Sequence, residues 1–168
     1  MAPQIEKSIN AITKCLSTGN KVILFGNGGS AADAQHIAAE LIGRFKFERK
    51  SYPAIALTTD TSSLTALAND YSFHIVYSRQ CESLVNKNDV VIGISTSGNS
   101  INVKKGLETA KKKGAILIGL LGSKGGSIGK LVDIPIITDS SSTPRIQEAH
   151  RTIYHIICEE VEKVMMGK

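Results

Sequence analysis

Asp89-Val-Val-Ile-Gly-Ile-Ser-Thr-Ser-Gly-Asn-Ser-Ile-Asn-Val103 decides the reading of this chain. Its first six residues, Asp89–Ile94, form an apolar run of strand length, and a helical pattern begins near Asn102. A strand therefore delivers a hydroxyl-rich loop to a helix N-terminus, where the first N–H groups lack intrahelical partners and the dipole is positive. An ordinary capped turn uses the same residue types, but one capping side chain would satisfy it. Ser95, Thr96, Ser97 and Ser100 supply four hydroxyls in six residues, and a phosphate is the expected guest.

The kind of phosphate follows from what the loops lack. No Lys followed by Ser or Thr closes this loop, which disfavours a nucleoside triphosphate. An earlier loop, Gly26-Asn27-Gly28-Gly29-Ser30, allows close backbone approach at Gly28 and Gly29 but lacks the Gly-x-Gly-x-x-Gly spacing of a dinucleotide site. Both loops would emerge at the carboxyl ends of parallel strands, which suits a small phosphorylated metabolite.

Outward from these loops, short apolar strands read as Lys21–Phe25, Ala54–Thr58, Asp89–Ile94, Ala115–Leu121 and Val132–Ile137. Helical patterns alternate with them over about Ala31–Arg44, Ser62–Ala68, Ser78–Val85, Asn102–Lys113 and Ser127–Leu131. Ile5, Ile9, Ile12 and Leu16 predict an N-terminal helix that Gly19 can end, and Pro144 suits the first turn of a last helix running to about Met166. The expected fold is α/β, with a five-stranded parallel sheet flanked by helices on both faces in a single domain, 1–168.

The composition, 42% hydrophobic and 21% charged, is globular, and no apolar run reaches the ~20 residues of a membrane span. The first twenty residues lack a signal-peptide pattern, and Cys15, Cys81 and Cys158 are scattered without a CxxC pair. A cytoplasmic location, with reduced thiols and no membrane partner, is expected. The net charge of +5 reflects Lys104-Lys105 and Lys111-Lys112-Lys113, which a solvated helix face explains. Without Trp or a recognisable binding module, nucleic acid is disfavoured as a partner.

Among titratable residues, His36 and Glu40 are four apart and share a helix face, which the spacing places near the helix's beginning. They are suited either to one ligand or to a plain His–Glu hydrogen bond. Gln147, Arg151 and His155 form a polar stripe on the last helix. Together His36, Glu40, Gln147 and His155 offer an N/O site for a divalent metal, with Glu and His also able to move protons. Gln147 and His155 are about 12 Å apart along a helix axis, so one metal reaches both only if their side chains lean together. Asn69-Asp70 suits sugar hydroxyls, and equally a helix stop.

The strings Gly26–Glu40, Ala54–Thr61, Gly93–Ser100 and Arg145–His150 closely resemble the phosphoheptose isomerases of the sugar isomerase (SIS) superfamily. The resemblance covers nearly the whole chain and implies a three-layer Rossmann-like α/β subunit of a cytoplasmic homotetramer with active sites at subunit interfaces. It also implies an aldose–ketose isomerase acting on sedoheptulose 7-phosphate, in the route to nucleotide-activated heptoses of bacterial lipopolysaccharide or capsule. By motif, Ser95, Thr96, Ser97 and Ser100 would hold the phosphate with Ser30 nearby. Asn27, Gly28, Gly29, Asn69 and Asp70 would contact the sugar, with help from Arg44. His36, Glu40, Gln147 and His155 match the family's zinc ligands, and Glu40 and His155 its base and acid. Gln147 also counts among the substrate contacts.

The chain departs from the family in having Pro144 where some members carry an acidic residue, and in a shorter N-terminal helical region. The alternatives are a related non-catalytic protein that binds the replication initiator DnaA, and other SIS sugar-phosphate isomerases. The DnaA-binding relative lacks an acid at the position matching Glu40, so Glu40 together with His155 favours an enzyme.

Overall fold

The computed structural model describes residues 1–168. Five strands, β1 (Val22–Gly26), β2 (Ala54–Ala56), β3 (Val90–Ser95), β4 (Ile116–Gly122) and β5 (Ile134–Thr138), form one parallel sheet in the order β2-β1-β3-β4-β5. The helices are α1 (Ala2–Ser17), α2 (Gly29–Ile42), α3 (Thr61–Asp70), α4 (Val76–Leu84), α5 (Ile101–Lys112), α6 (Gly126–Gly129) and α7 (Thr143–Met165). A 3₁₀ turn at Phe73–Ile75 leads into α4. The strands lie within a few residues of the sequence reading. β2 is the exception, three residues long at the sheet edge, with Ile55 exposed.

Alternation along each strand sorts the core into two layers. Val22 and Leu24 of β1, with Val90, Ile92 and Ile94 of β3, face Ile12 and Leu16 of α1, Ile37 and Leu41 of α2, and Ile153, Ile157 and Val161 of α7. Ile23, Phe25 and Val91 point the other way, onto Tyr77 and Cys81 of α4, Val103 and Leu107 of α5, and Ile128 of α6. No residue of α3 is fully buried; it rests on the second layer through Leu64, Leu67 and Ala68. No helix is long and apolar enough to cross a membrane.

Two buried carboxylates tie the sheet and its helices together, and neither is distinctive in the sequence. Asp89 accepts from Lys21 Nζ at 2.7 Å, from the Lys21 backbone N–H at 3.1 Å and from the Asn86 N–H at 2.7 Å, pinning β1 to β3 at their amino ends. Glu162 of α7 accepts backbone N–H bonds from Phe45 (3.0 Å), Lys46 (2.7 Å) and Phe47 (3.0 Å), and one from Arg49 Nε (3.1 Å). Arg49 in turn donates to the carbonyls of Glu40, Leu41 and Gly43, satisfying the orphan end of α2. Burial opposes the charge on Glu162, yet these N–H donors and Arg49 hold its carboxyl below the usual range.

Glu162→Ala would leave Arg49, whose side chain is 4% exposed, without its carboxylate. Removing one partner of a buried pair typically costs about 3–5 kcal/mol, and urea denaturation of the variant should show a loss of that order. A loss below about 1 kcal/mol, the scale of an exposed pair, would mean that water replaces the carboxylate readily.

Candidate functional site

The strand order reverses between β1 and β3: the chain leaves β1 for β2 on one side and reaches β3 on the other. At such a switch point the loops after the two strands diverge and open a crevice at the carboxyl edge. Those loops are Gly26–Ser30 and Ser95–Ser100, the two singled out in the sequence.

Gly28 caps α2 with φ +56°, a conformation open to glycine, and no side chain makes a capping hydrogen bond to the helix start. Ser30 is buried in the first turn of α2. Across the crevice, Ser100 is the N-cap of α5 but makes no side-chain cap; its hydroxyl instead lies 3.1 Å from Ser95 Oγ, which is 3.4 Å from Ser97 Oγ. The hydroxyls thus converge in front of a helix start, with Thr96 half-buried beside them. Gly98, at φ +66°, packs so closely on Gly125 and Gly126 that a Cβ there would collide with the Gly125 carbonyl. Ile128 N–H donates to Gly98 O at 3.0 Å and Ser127 N–H to Asn99 Oδ1 at 2.9 Å, so α6 braces the loop from behind.

The two loops are joined by a pair that sequence reasoning missed. Asn27 and Asn102 exchange amide hydrogen bonds, Asn27 Nδ2 to Asn102 Oδ1 and Asn102 Nδ2 to Asn27 Oδ1, both 2.9 Å. Asn102 Oδ1 also accepts from Val103 N–H at 2.9 Å. Tyr77, stacked on Phe25, donates its hydroxyl to Gly26 O. Asn102 reads in the sequence as an ordinary helix-start residue; nothing local announces a partner 75 positions away.

A second group forms where α2 meets α7. His36, Glu40 and His155 each bring a ligand atom to within 4.8 Å of the others. His36 Nε2 lies 3.0 Å from Glu40 Oε1, the His–Glu hydrogen bond that the spacing allowed. These residues occupy the second half of α2 rather than its beginning, because the helix starts at Gly29, two residues earlier than expected. Phe45, held by Glu162, tilts against His155 at 5.7 Å between ring centroids. Burial lowers the His155 pKa, the neighbouring His36 lowers it further, and Glu40 partly opposes them. Two His nitrogens and a carboxylate, half-buried and convergent, can hold a borderline divalent ion.

Gln147 stands apart from this group, in line with its eight-residue separation from His155. Its amide rests where a Cβ on Gly29 would stand, against the start of α2. Arg44 lies just past α2, exposed, 3.7 Å from Glu48. Asn69 and Asp70 end α3, exposed and bonded to each other at 2.9 Å. The sequence reading had no role for Asp33, Tyr154 or His150, all buried near the α2–α7 seam.

His150 is fully buried, with neither ring nitrogen in a hydrogen bond. Burial lowers its pKa from the usual 6.5; the Leu121 backbone, outside hydrogen-bonding geometry, and Asp33 offset this in part. In the unfolded chain His150 takes up a proton as the pH falls through 6.5, while the folded protein does so only at lower pH. The unfolded state then binds more protons, so stability falls with acidification over that window. Between about pH 7.5 and 5, thermal melting of His150→Leu should depend less steeply on pH than that of the parent, the remaining slope including His155. Identical slopes would show that His150 takes up its proton as readily in the fold as in the unfolded chain.

Compared with known proteins, residues 1–122 match a family model described as SIS domain. The whole chain is 54% identical over 168 residues to a phosphoheptose isomerase of Citrifermentans bemidjiense, covering 88% of that protein. Among solved structures it is similar to phosphoheptose isomerases of Neisseria gonorrhoeae (TM-score 0.91, 40% identity) and Francisella tularensis (TM-score 0.92, 35% identity). In both cases 96% of this chain and 86% of the other are covered.

Proposed function

Because the chain belongs to the phosphoheptose isomerase family of SIS-domain proteins, we propose that it interconverts sedoheptulose 7-phosphate and D-glycero-D-manno-heptose 7-phosphate through an enediol. The observation that carries this reading is the combination of a braced hydroxyl loop at the switch point with the His36, Glu40 and His155 group on the helices beside it. The step would serve the making of nucleotide-activated heptose for lipopolysaccharide or capsule, in the cytoplasm, with residues 1–168 acting as one SIS domain.

The phosphate sits among Ser95, Thr96, Ser97 and Ser100, with Ser30 across the crevice. The sugar chain runs past Asn27, Gly28, Gly29 and Gln147 towards Glu40 and His155. Glu40 takes a proton from C1 of the ketose and returns it to C2, while His155 gives a proton to the C2 oxygen and takes one from the C1 hydroxyl. The Glu40 side chain suits a double duty: Oε1 faces His36, and Oε2 has no hydrogen-bond partner in the protein.

His36, Glu40 and His155 would hold zinc, with Gln147 completing the set by turning its amide from Gly29 towards the group. Bound zinc supplies a Lewis acid that polarises substrate oxygens. Arg44, Asn69 and Asp70, all exposed, are assigned to sugar hydroxyls across a subunit boundary. The exposed apolar side chains Ile42, Tyr71, Phe73 and Ile156 support assembly into a homotetramer.

Incubation with sedoheptulose 7-phosphate in heavy water should yield the aldose with deuterium at the exchanged carbon, seen by NMR, without ATP or nicotinamide. Neither product nor exchange from a folded sample would overturn the assignment. Glu40→Gln keeps the side-chain shape but loses basicity, so kcat should fall at least ~10²-fold with KM within a few-fold. Zinc content is measured on the same sample, and near-normal turnover with zinc retained would remove Glu40 as base. Ser97→Ala should raise KM more than it lowers kcat, because the loop binds ground and transition states alike.

A further inference from the structure

His36 is held from both sides. Its Nε2 lies 3.0 Å from Glu40 Oε1 and its Nδ1 2.9 Å from the Tyr154 hydroxyl. A carboxylate only accepts hydrogen bonds, so in this arrangement a neutral ring carries its proton on Nε2 and Nδ1 accepts from Tyr154. A metal ion on Nε2 requires the lone pair there, which moves the ring's one proton to Nδ1. Tyr154 must then accept where it had donated, and its own proton needs a new destination.

The structure supplies one. Asp33 Oδ1 lies 3.4 Å from the Tyr154 hydroxyl, on a carboxylate that is 2% exposed. Arg151, exposed on α7, reaches back to both groups, donating from Nε to Tyr154 at 3.2 Å and from Nη2 to Asp33 at 3.3 Å. A phenol oxygen has one proton and two lone pairs. With metal on His36 all three are used: Tyr154 accepts from His36 and from Arg151 and donates to Asp33. Rotation of one hydroxyl therefore serves both forms of the His36 ring, and no buried polar atom is stranded in either.

We propose that Tyr154, backed by Asp33 and Arg151, is a positioning residue that holds the His36 ring and lets its proton reside on Nδ1, so that Nε2 is presented to a metal ion. This rests on the zinc reading of the His36, Glu40 and His155 group. Neither Tyr154 nor Asp33 touches the metal or the reacting carbons. Their contribution is to the orientation and basicity of one ligand, an effect that outer partners typically exert at the level of about 10- to 100-fold in metal affinity.

The test is zinc affinity of the full chain, measured by competition with a chromogenic chelator and independent of turnover. Tyr154→Phe keeps the buried ring and removes only the hydroxyl, and its affinity should fall by about 10- to 100-fold. In parallel, ¹⁵N-histidine NMR of the zinc-loaded parent should show His36 protonated on Nδ1 with the metal-shifted signal on Nε2. Wild-type zinc affinity in Tyr154→Phe, or zinc on Nδ1 in the parent, overturns the proposal. If the variant does not fold, judged by its circular-dichroism melt, the parent spectrum decides alone. A parent that binds no zinc overturns the metal reading and this proposal with it, whereas a zinc-binding parent with an indifferent Tyr154→Phe overturns only the latter.

Discussion

The reversal of strand order between β1 and β3 is the constraint from which the rest of this structure follows. Right-handed crossovers send the helix after β1 to one face of the sheet and the helix after β3 to the other, so their starting loops part instead of lying side by side. The observed layers agree: α2 packs with α1 and α7, and α5 packs with α4 and α6. A gap between loops is easily lost to collapse, and several contacts keep it at one width. Lys21 and Asp89 hold β1 and β3 at their amino ends, while the Asn27–Asn102 pair holds the loops at the other. Each amide bond is worth only about 1 kcal/mol net. Because unpaired buried amides cost more than paired ones gain, the pair acts on geometry more than on overall stability.

The chemistry is mounted differently from the anchor. The hydroxyl loop takes its shape from contacts with α6, through the Gly98 backbone and the Asn99 side chain. The His36, Glu40 and His155 group stands instead on two helices, each locked by buried aliphatic residues one or two positions away, Ile37 and Leu41 on α2 and Ile153 and Ile157 on α7. Glu162 and Arg49 extend that locking beyond the helix, satisfying the last carbonyls of α2 and placing Phe45 against His155. A rigid mount matters for proton transfer, whose efficiency depends on the distance between acid, base and carbon.

How much of this could be read beforehand depended on the range of the interactions. Strands announce themselves as apolar runs, and the hydroxyl loop as an excess of Ser and Thr before a helix, because both signals are local. The end of β2 and the short turn at Phe73–Ile75 were less legible, since a three-residue edge strand and a 3₁₀ turn carry little periodicity. His36 and Glu40 followed from helical spacing; that His155 would join them needed the packing of α7 on α2. Asn102, Glu162, Tyr154 and His150 were invisible because their partners or burial come from distant segments. Asp33 did leave a trace: an acid within Ala31-Ala32-Asp33-Ala34, on a helix that must bury a face, implies a paired carboxylate.

The placement of Gln147 bears on what kind of ligand the crevice favours. Its contact with Gly29, and the nearness of His155 to His36, show that α2 and α7 run in the same direction along this seam. From Gly29 to His36 is about 10 Å along the helix axis. On the proposed roles of the loops and of Glu40, phosphate and carbonyl are separated along the helices rather than across them. A sugar whose phosphate stands several carbons from its carbonyl fits that axis when extended, whereas a short sugar phosphate anchored at the loop would stop before the acid–base pair. On that proposed assignment, selection by length follows from where the switch point lies relative to the second half of α2.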